Sequence, residues 1–162
     1  MLDHILPRRL DNDFRGQRLA LWLFAPVVFV KTGVALATIF NGRVAAQSAD
    51  GLPLASYGAA GAEAVLALFA MWGLAQLVIS VFGVLALVRY RAMVPLMFVL
   101  LLGEHLARKL TLVVLPIART GAAPGGYVNL VLLALMIAGL GLSLWGRADD
   151  AGVRHSASGL RP

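Results

Sequence analysis

The chain contains no cysteine. Disulfides, thiol redox chemistry, thiolate-bound metals and palmitoylation are therefore excluded. Acidic residues are scarce, eight against fourteen basic ones, which leaves a net charge of +6. Lysine is scarcer still. Only Lys31 and Lys109 occur, and every other basic residue is arginine. The motifs of an enzyme are also missing. There is no phosphate-binding glycine loop, no nucleophile elbow and no paired-carboxylate geometry. The glycine-rich run from Thr120 to Gly126 lacks the Lys-Ser or Lys-Thr of a phosphate loop and reads as a turn. His105 with a single nearby carboxylate falls short of a usual metal ligand set, so no metal or other cofactor is expected.

Apolar residues are abundant. They make up 60% of the 162 residues, and the mean hydropathy is +0.83. That excess suits a small membrane bundle of one domain rather than a soluble protein. A charge of +6 would also suit nucleic acid, but most arginines flank apolar segments, as topology determinants do. No nucleic-acid partner is expected.

Four spans are expected at 19–40, 64–88, 92–117 and 127–145, each long enough to cross ~30 Å of hydrocarbon as a helix. Residues 1–18 form a cytoplasmic or interfacial leader, and 146–162 a polar tail expected to be disordered. A cleavage site at Val44-Ala45-Ala46 is disfavoured, because the preceding apolar run is too long for a signal peptide and carries Lys31 at its centre. With the N-terminus inside, the inner segments hold nine arginines (8, 9, 15, 18, 89, 91, 147, 154 and 161), whereas the outer loops hold Arg43 and Arg119. The expected fold is therefore an all-α, integral membrane four-helix bundle with both termini cytoplasmic, in a bacterial inner membrane. The short connection Arg89-Tyr90-Arg91 makes spans two and three a tight antiparallel hairpin. Pro26 should bend span one. The outer loop 41–63 shows no periodicity beyond a turn at Asp50-Gly51-Leu52-Pro53. Trp22, Trp72, Trp145, Tyr57, Tyr90 and Tyr127 read as interface anchors.

Polar residues inside the spans mark the candidate site. Lys31, Gln76 and Glu104 each lie thirteen residues from an arginine at one face, namely Arg18, Arg89 and Arg91. At ~1.5 Å per residue all three fall at one depth, near mid-bilayer. Span three carries Glu104, His105, Arg108 and Lys109 on one arc, facing the bundle, with Leu96, Val99, Gly103, Leu106, Leu110 and Val114 opposite. Glu104 and Arg108 form an i,i+4 pair in the favourable order. Asn129 in span four matches Lys109 in depth. Two polar levels result: Lys31, Gln76, Glu104 and His105 in the middle, and Arg108, Lys109 and Asn129 further out. Glu104 is the sole carboxylate within the spans, so it should pair with Lys31, with Arg108 sharing the acid. His105 should be a hydrogen-bonded bundle residue. Gly73, Gln76, Ser80 and Gly83 form a face of small and polar residues built for close helix contact.

Lys31 and Gly33 in span one, and a glycine-bearing span two that ends in Arg89 and runs straight into span three, resemble the DoxX-like group of small bacterial four-helix membrane proteins over part of the chain. The resemblance implies a membrane protein sometimes associated with redox or stress partners. It assigns no catalytic residue, and the stripe from Glu104 to Lys109 lies outside it.

Three functions follow as expectations. One is a small-molecule-binding, lipid-binding or accessory bundle, holding an anionic lipid or quinone-like ligand at its basic site. Another is a small proton-coupled carrier using Glu104 and His105, which would require oligomerisation because four spans show no inverted repeat. The last is a purely structural subunit of a homo-oligomer or larger membrane complex, its charges fixing helix register.

Overall fold

A computed structural model describes residues 16–120 and 124–145, together with Ile5, Asp11, Asn12 and Phe14. Among the described residues the chain is all-helical, without strands. Four long helices dominate: α1 (Arg18–Phe40), α2 (Gly58–Val88), α3 (Val94–Val114) and α4 (Gly125–Leu144). The segments Arg18–Phe40, Leu54–Val88 and Gly125–Leu144 are long and apolar enough to cross a membrane. Helix α3 is not among them, because Glu104, Arg108 and Lys109 interrupt its apolar run. The proposed tail 146–162 and most of the leader 1–18 lie outside the described residues.

Helix boundaries depart from the hydropathy pattern for local reasons. Helix α2 begins at Gly58 rather than near residue 64. Its first turns, Gly58-Ala59-Ala60-Gly61-Ala62, are weakly apolar, but alanine is the best helix former. Helix α3 stops at Val114 rather than 117. Pro116 disfavours helical geometry at the residue before it, and Leu115 accordingly turns to φ −120°, ψ 77°. Pro26 is accommodated within α1, which continues to Phe40.

Each helix buries a stripe. On α1 it comprises Ala20, Phe24, Val27, Val28, Lys31, Ala35 and Thr38, at helical spacing. Thr38 keeps its hydroxyl satisfied by donating to the Val34 carbonyl at 2.7 Å. The small-residue face of α2 makes a close helix contact as expected, and its partner is α1. A Cβ at Gly73 would come within 3.0–3.2 Å of Ile39, Ala35 and Thr38, and one at Gly83 within 3.0 Å of Val28. Helix α1 is thus clasped by α2, and also packs against α4, which in turn packs on α3. The pairing of α2 with α3 is looser than their tight connection implies. Sequence adjacency brought them together at the turn, but the glycine face of α2 is spent on α1.

Two apolar cores flank the polar residues. Near the Arg89–Met93 turn, the Phe24 and Phe98 rings meet edge to face with centroids 4.9 Å apart, packed with Met97, Leu101, Leu132 and Met136. Phe14 packs against the same core, and the Gln17 N–H donates to the Leu142 carbonyl at 3.3 Å. The second core lies at the opposite end, in the loop from which no pattern was expected. There a short helix Gly42–Val44 runs into a π-helical turn, Ala45–Ala49, and a 3-10 turn follows at Leu54–Tyr57. Ala46, Leu52, Leu54 and Ala62 are buried together. Gly51, at φ 69°, makes the corner at which L side chains are strained. Its carbonyl accepts the Thr120 N–H at 2.8 Å, tying the segment after α3 to this loop.

Candidate functional site

A continuous set of polar contacts links all four long helices. Lys31 Nζ on α1 donates to Glu104 Oε2 on α3 at 2.6 Å and to Gln76 Oε1 on α2 at 3.2 Å. Glu104 Oε1 lies 4.0 Å from Arg108 Nε, one turn along α3. Arg108 Nη2 then donates to Asn129 Oδ1 on α4 at 3.0 Å. The Lys31 side chain is only 8% exposed and that of Glu104 22%. A buried cation in such a setting needs its counter-charge and its remaining hydrogen bond, and Glu104 and Gln76 supply them. The sequence-derived depths correspond to these contacts: the three residues placed at one level touch, and Arg108 meets Asn129 at the next.

Two site residues behave differently from expectation. His105 is fully buried, yet neither ring nitrogen has a hydrogen-bond partner among the described residues. It was expected to be hydrogen-bonded. Its neighbours on the buried stripe of α3 are Phe98 and Leu101, which offer no acceptor. Lys109 was placed on the bundle-facing arc and instead is exposed. The buried arc of α3 is centred on Leu101 and His105, which turns position 109 toward the rim. Ser80 Oγ is likewise buried without a hydrogen-bond partner among the described residues.

Beside this network a cleft of about 570 Å³ opens between α2, α3, the start of α4 and the loop from 50 to 52. Arg108 and Lys109 contribute to its wall, as does Asn129. The rest of the wall is mostly apolar and aromatic, including Phe69, Trp72, Leu112 and Val113. Trp72 was read as an interface anchor. It lies fourteen residues into α2 because that helix starts early, and it takes the Arg108 guanidinium over its ring at 5.2 Å from the centroid. Phe69 braces Trp72 edge to face, with centroids 6.1 Å apart. The arginine is thus held by a carboxylate, an amide and an indole face together.

Asp50 and Arg119 also line the cleft, and no sequence pattern marks either as a site residue. Asp50 looked like a turn residue and Arg119 like a topology charge. Only the tie between Thr120 and Gly51 carries them to the same place. Burial pushes the Asp50 carboxyl above the ordinary aspartate range, while the charges of Arg108 and Arg119 pull it back.

Among the described residues no group of histidines and carboxylates is placed to hold a metal ion. Comparison with protein-family models, curated proteins and solved structures finds no match to this chain.

Proposed function

We propose that the chain is an integral membrane protein of four spans whose cleft binds an anionic amphiphile from the outer leaflet. One observation carries the reading: three cations, Arg108, Lys109 and Arg119, stand on a mostly apolar and aromatic cleft wall with Asp50 as its sole acid among the described residues. The cleft's rim is itself apolar, with Val113 77% exposed, which suits contact with acyl chains. Membrane insertion is supported by how little of the apolar surface the fold hides. Only 17% of the most apolar stretch of Leu54–Val88 is buried, and Phe29, Phe40 and Leu68 project outward. Exposing so much apolar helix to water would be strongly unfavourable, whereas hydrocarbon is its natural solvent. Helix α3 joins the spans because its charged residues have partners or a cleft to occupy. The arginine asymmetry orients Arg89 and Arg91 inward and the cleft outward.

The role is that of a lipid-binding or accessory component of the bacterial inner membrane. Less supports a proton-coupled carrier. A relay needs a hydrogen-bonded path, and His105 has no such partner among the described residues. Native mass spectrometry of the protein released from membranes tests the reading. Retained anionic lipid is expected in the wild type and its loss in the Arg108→Gln, Lys109→Gln double variant. An identical lipid complement in both would favour the structural-subunit reading instead.

A further inference from the structure

Charge counting at the cleft narrows the ligand further. Lys31 and Glu104 neutralise one another in the interior. The cleft then carries Arg108, Lys109 and Arg119 against Asp50. That leaves two positive charges with Asp50 ionised, and three with it protonated. Lys109 and Arg119 make no ion pair and no side-chain hydrogen bond among the described residues. Arg108 commits Nη2 to Asn129 and turns Nε toward Glu104, which leaves Nη1 for another acceptor.

The start of α4 points the same way. Gly126 lines the cleft, and a Cβ there would meet nothing within 4 Å. The first turn of α4 has no acidic residue, and its cap makes no side-chain hydrogen bond. The positive end of this 20-residue helix therefore borders the space that the cations line, with Asp50 beside its first residue, where a Cβ on Gly125 would come within 3.6 Å of the Asp50 Oδ1.

From this we infer that the cleft, on the reading proposed above, selects a lipid whose head group is a phosphate monoester over one with a phosphodiester or a carboxylate. A monoester carries roughly −1.5 to −2 charges at neutral pH and three terminal oxygens. It matches a doubly positive cleft with three separate cationic donors. A phosphodiester or carboxylate brings one charge and two terminal oxygens, and leaves a cation unpaired. The apolar wall formed by Phe69, Trp72, Leu112 and Val113 receives the chain attached to the phosphate. Arg119 is a positioning residue for the head group. It lies in the non-helical segment after α3, so replacing it disturbs no helix.

The test uses the full chain in nanodiscs and three lipids with identical acyl chains: phosphatidic acid, phosphatidylglycerol and phosphatidylcholine. Phosphatidic acid is expected to bind about tenfold tighter than phosphatidylglycerol, as one further charge at a partly buried cationic site implies. Arg119→Gln should erase that margin while leaving phosphatidylglycerol above phosphatidylcholine. Equal binding of the two anionic lipids, both above phosphatidylcholine, would overturn the monoester selectivity and leave the anionic-amphiphile reading standing. Three equal affinities would remove both. Inorganic phosphate at millimolar concentration should not displace phosphatidic acid. Displacement would show that the phosphate alone is the ligand and would overturn the lipid assignment.

Discussion

Removing the Lys31 ammonium while retaining the side-chain volume tests the interior most directly. Lys31→Met does this. Unit charges 2.6 Å apart attract by about 6 kcal/mol at an effective dielectric constant near 20. Desolvating two ions in the interior costs several kcal/mol each and cancels much of that gain. The net value of the pair is therefore small, but the cost of breaking it is not. In Lys31→Met, Glu104 keeps only Arg108 at 4.0 Å, and a loss of about 3 kcal/mol is expected. In Glu104→Gln, Lys31 keeps Gln76 at 3.2 Å and loses its countercharge, again at about 3 kcal/mol. The double variant removes both charges and strands neither. Its total loss should therefore be small, well below the additive value of about 6 kcal/mol, with a coupling of at least about 3 kcal/mol. Steric trapping in bicelles measures the four unfolding free energies under native conditions. Losses that add to within about 0.5 kcal/mol would show that the two groups do not stabilise one another, and the ion-paired interior would be wrong.

The apolar core gives a second test. A side chain at Gly139 would overlap the buried Phe98 ring, which is already wedged against Phe24, so Gly139→Val should destabilise by about 2–3 kcal/mol in the same assay. Gly103, which faces open space, should accept alanine without loss, and equal damage at both positions would contradict the packing. Because Asp50 is pushed upward by burial, the folded protein holds its proton more tightly than the unfolded chain. Its contribution to stability is therefore greatest in acid and is lost as pH rises through the ordinary aspartate range toward neutral. Asp50→Asn should gain stability relative to wild type at neutral pH, converge with it in acid, and bind anionic lipid more tightly; thermal melts at both pH values and lipid titration check this. Finally, a chain without cysteines suits single-cysteine labelling. A cysteine at position 50 should react with an impermeant reagent from outside the cell and one at 90 only after lysis, and the reverse pattern would invert the orientation.

The shared level of the polar residues was legible in the sequence because it depends on local geometry alone. A helix rises by a constant amount per residue, so Lys31, Gln76 and Glu104, each thirteen residues from a flanking arginine, had to share a level. Identity of partners followed from scarcity, since one carboxylate served several cations. Helix type and the close-packing face of α2 were equally local, carried by apolar run length and by the spacing of Gly73, Gln76, Ser80 and Gly83. What the pattern did not carry was rotation and loop structure. By its spacing the polar arc of α3 faces inward as a whole, but a shift of the buried stripe toward Leu101 and His105 leaves Lys109 at the rim. That shift is set by which helices pack together, and α3 rests on α4 with Phe98 seated over Gly139, a contact between positions 41 residues apart. The cleft depended still more on tertiary structure. Asp50, Trp72, Arg108 and Arg119 come from four separate stretches of chain, and they meet only because the loop's small core and the hydrogen bond from Thr120 to Gly51 fold the outer connections onto the bundle. Such contacts join residues distant in sequence, and no periodicity within a single segment encodes them.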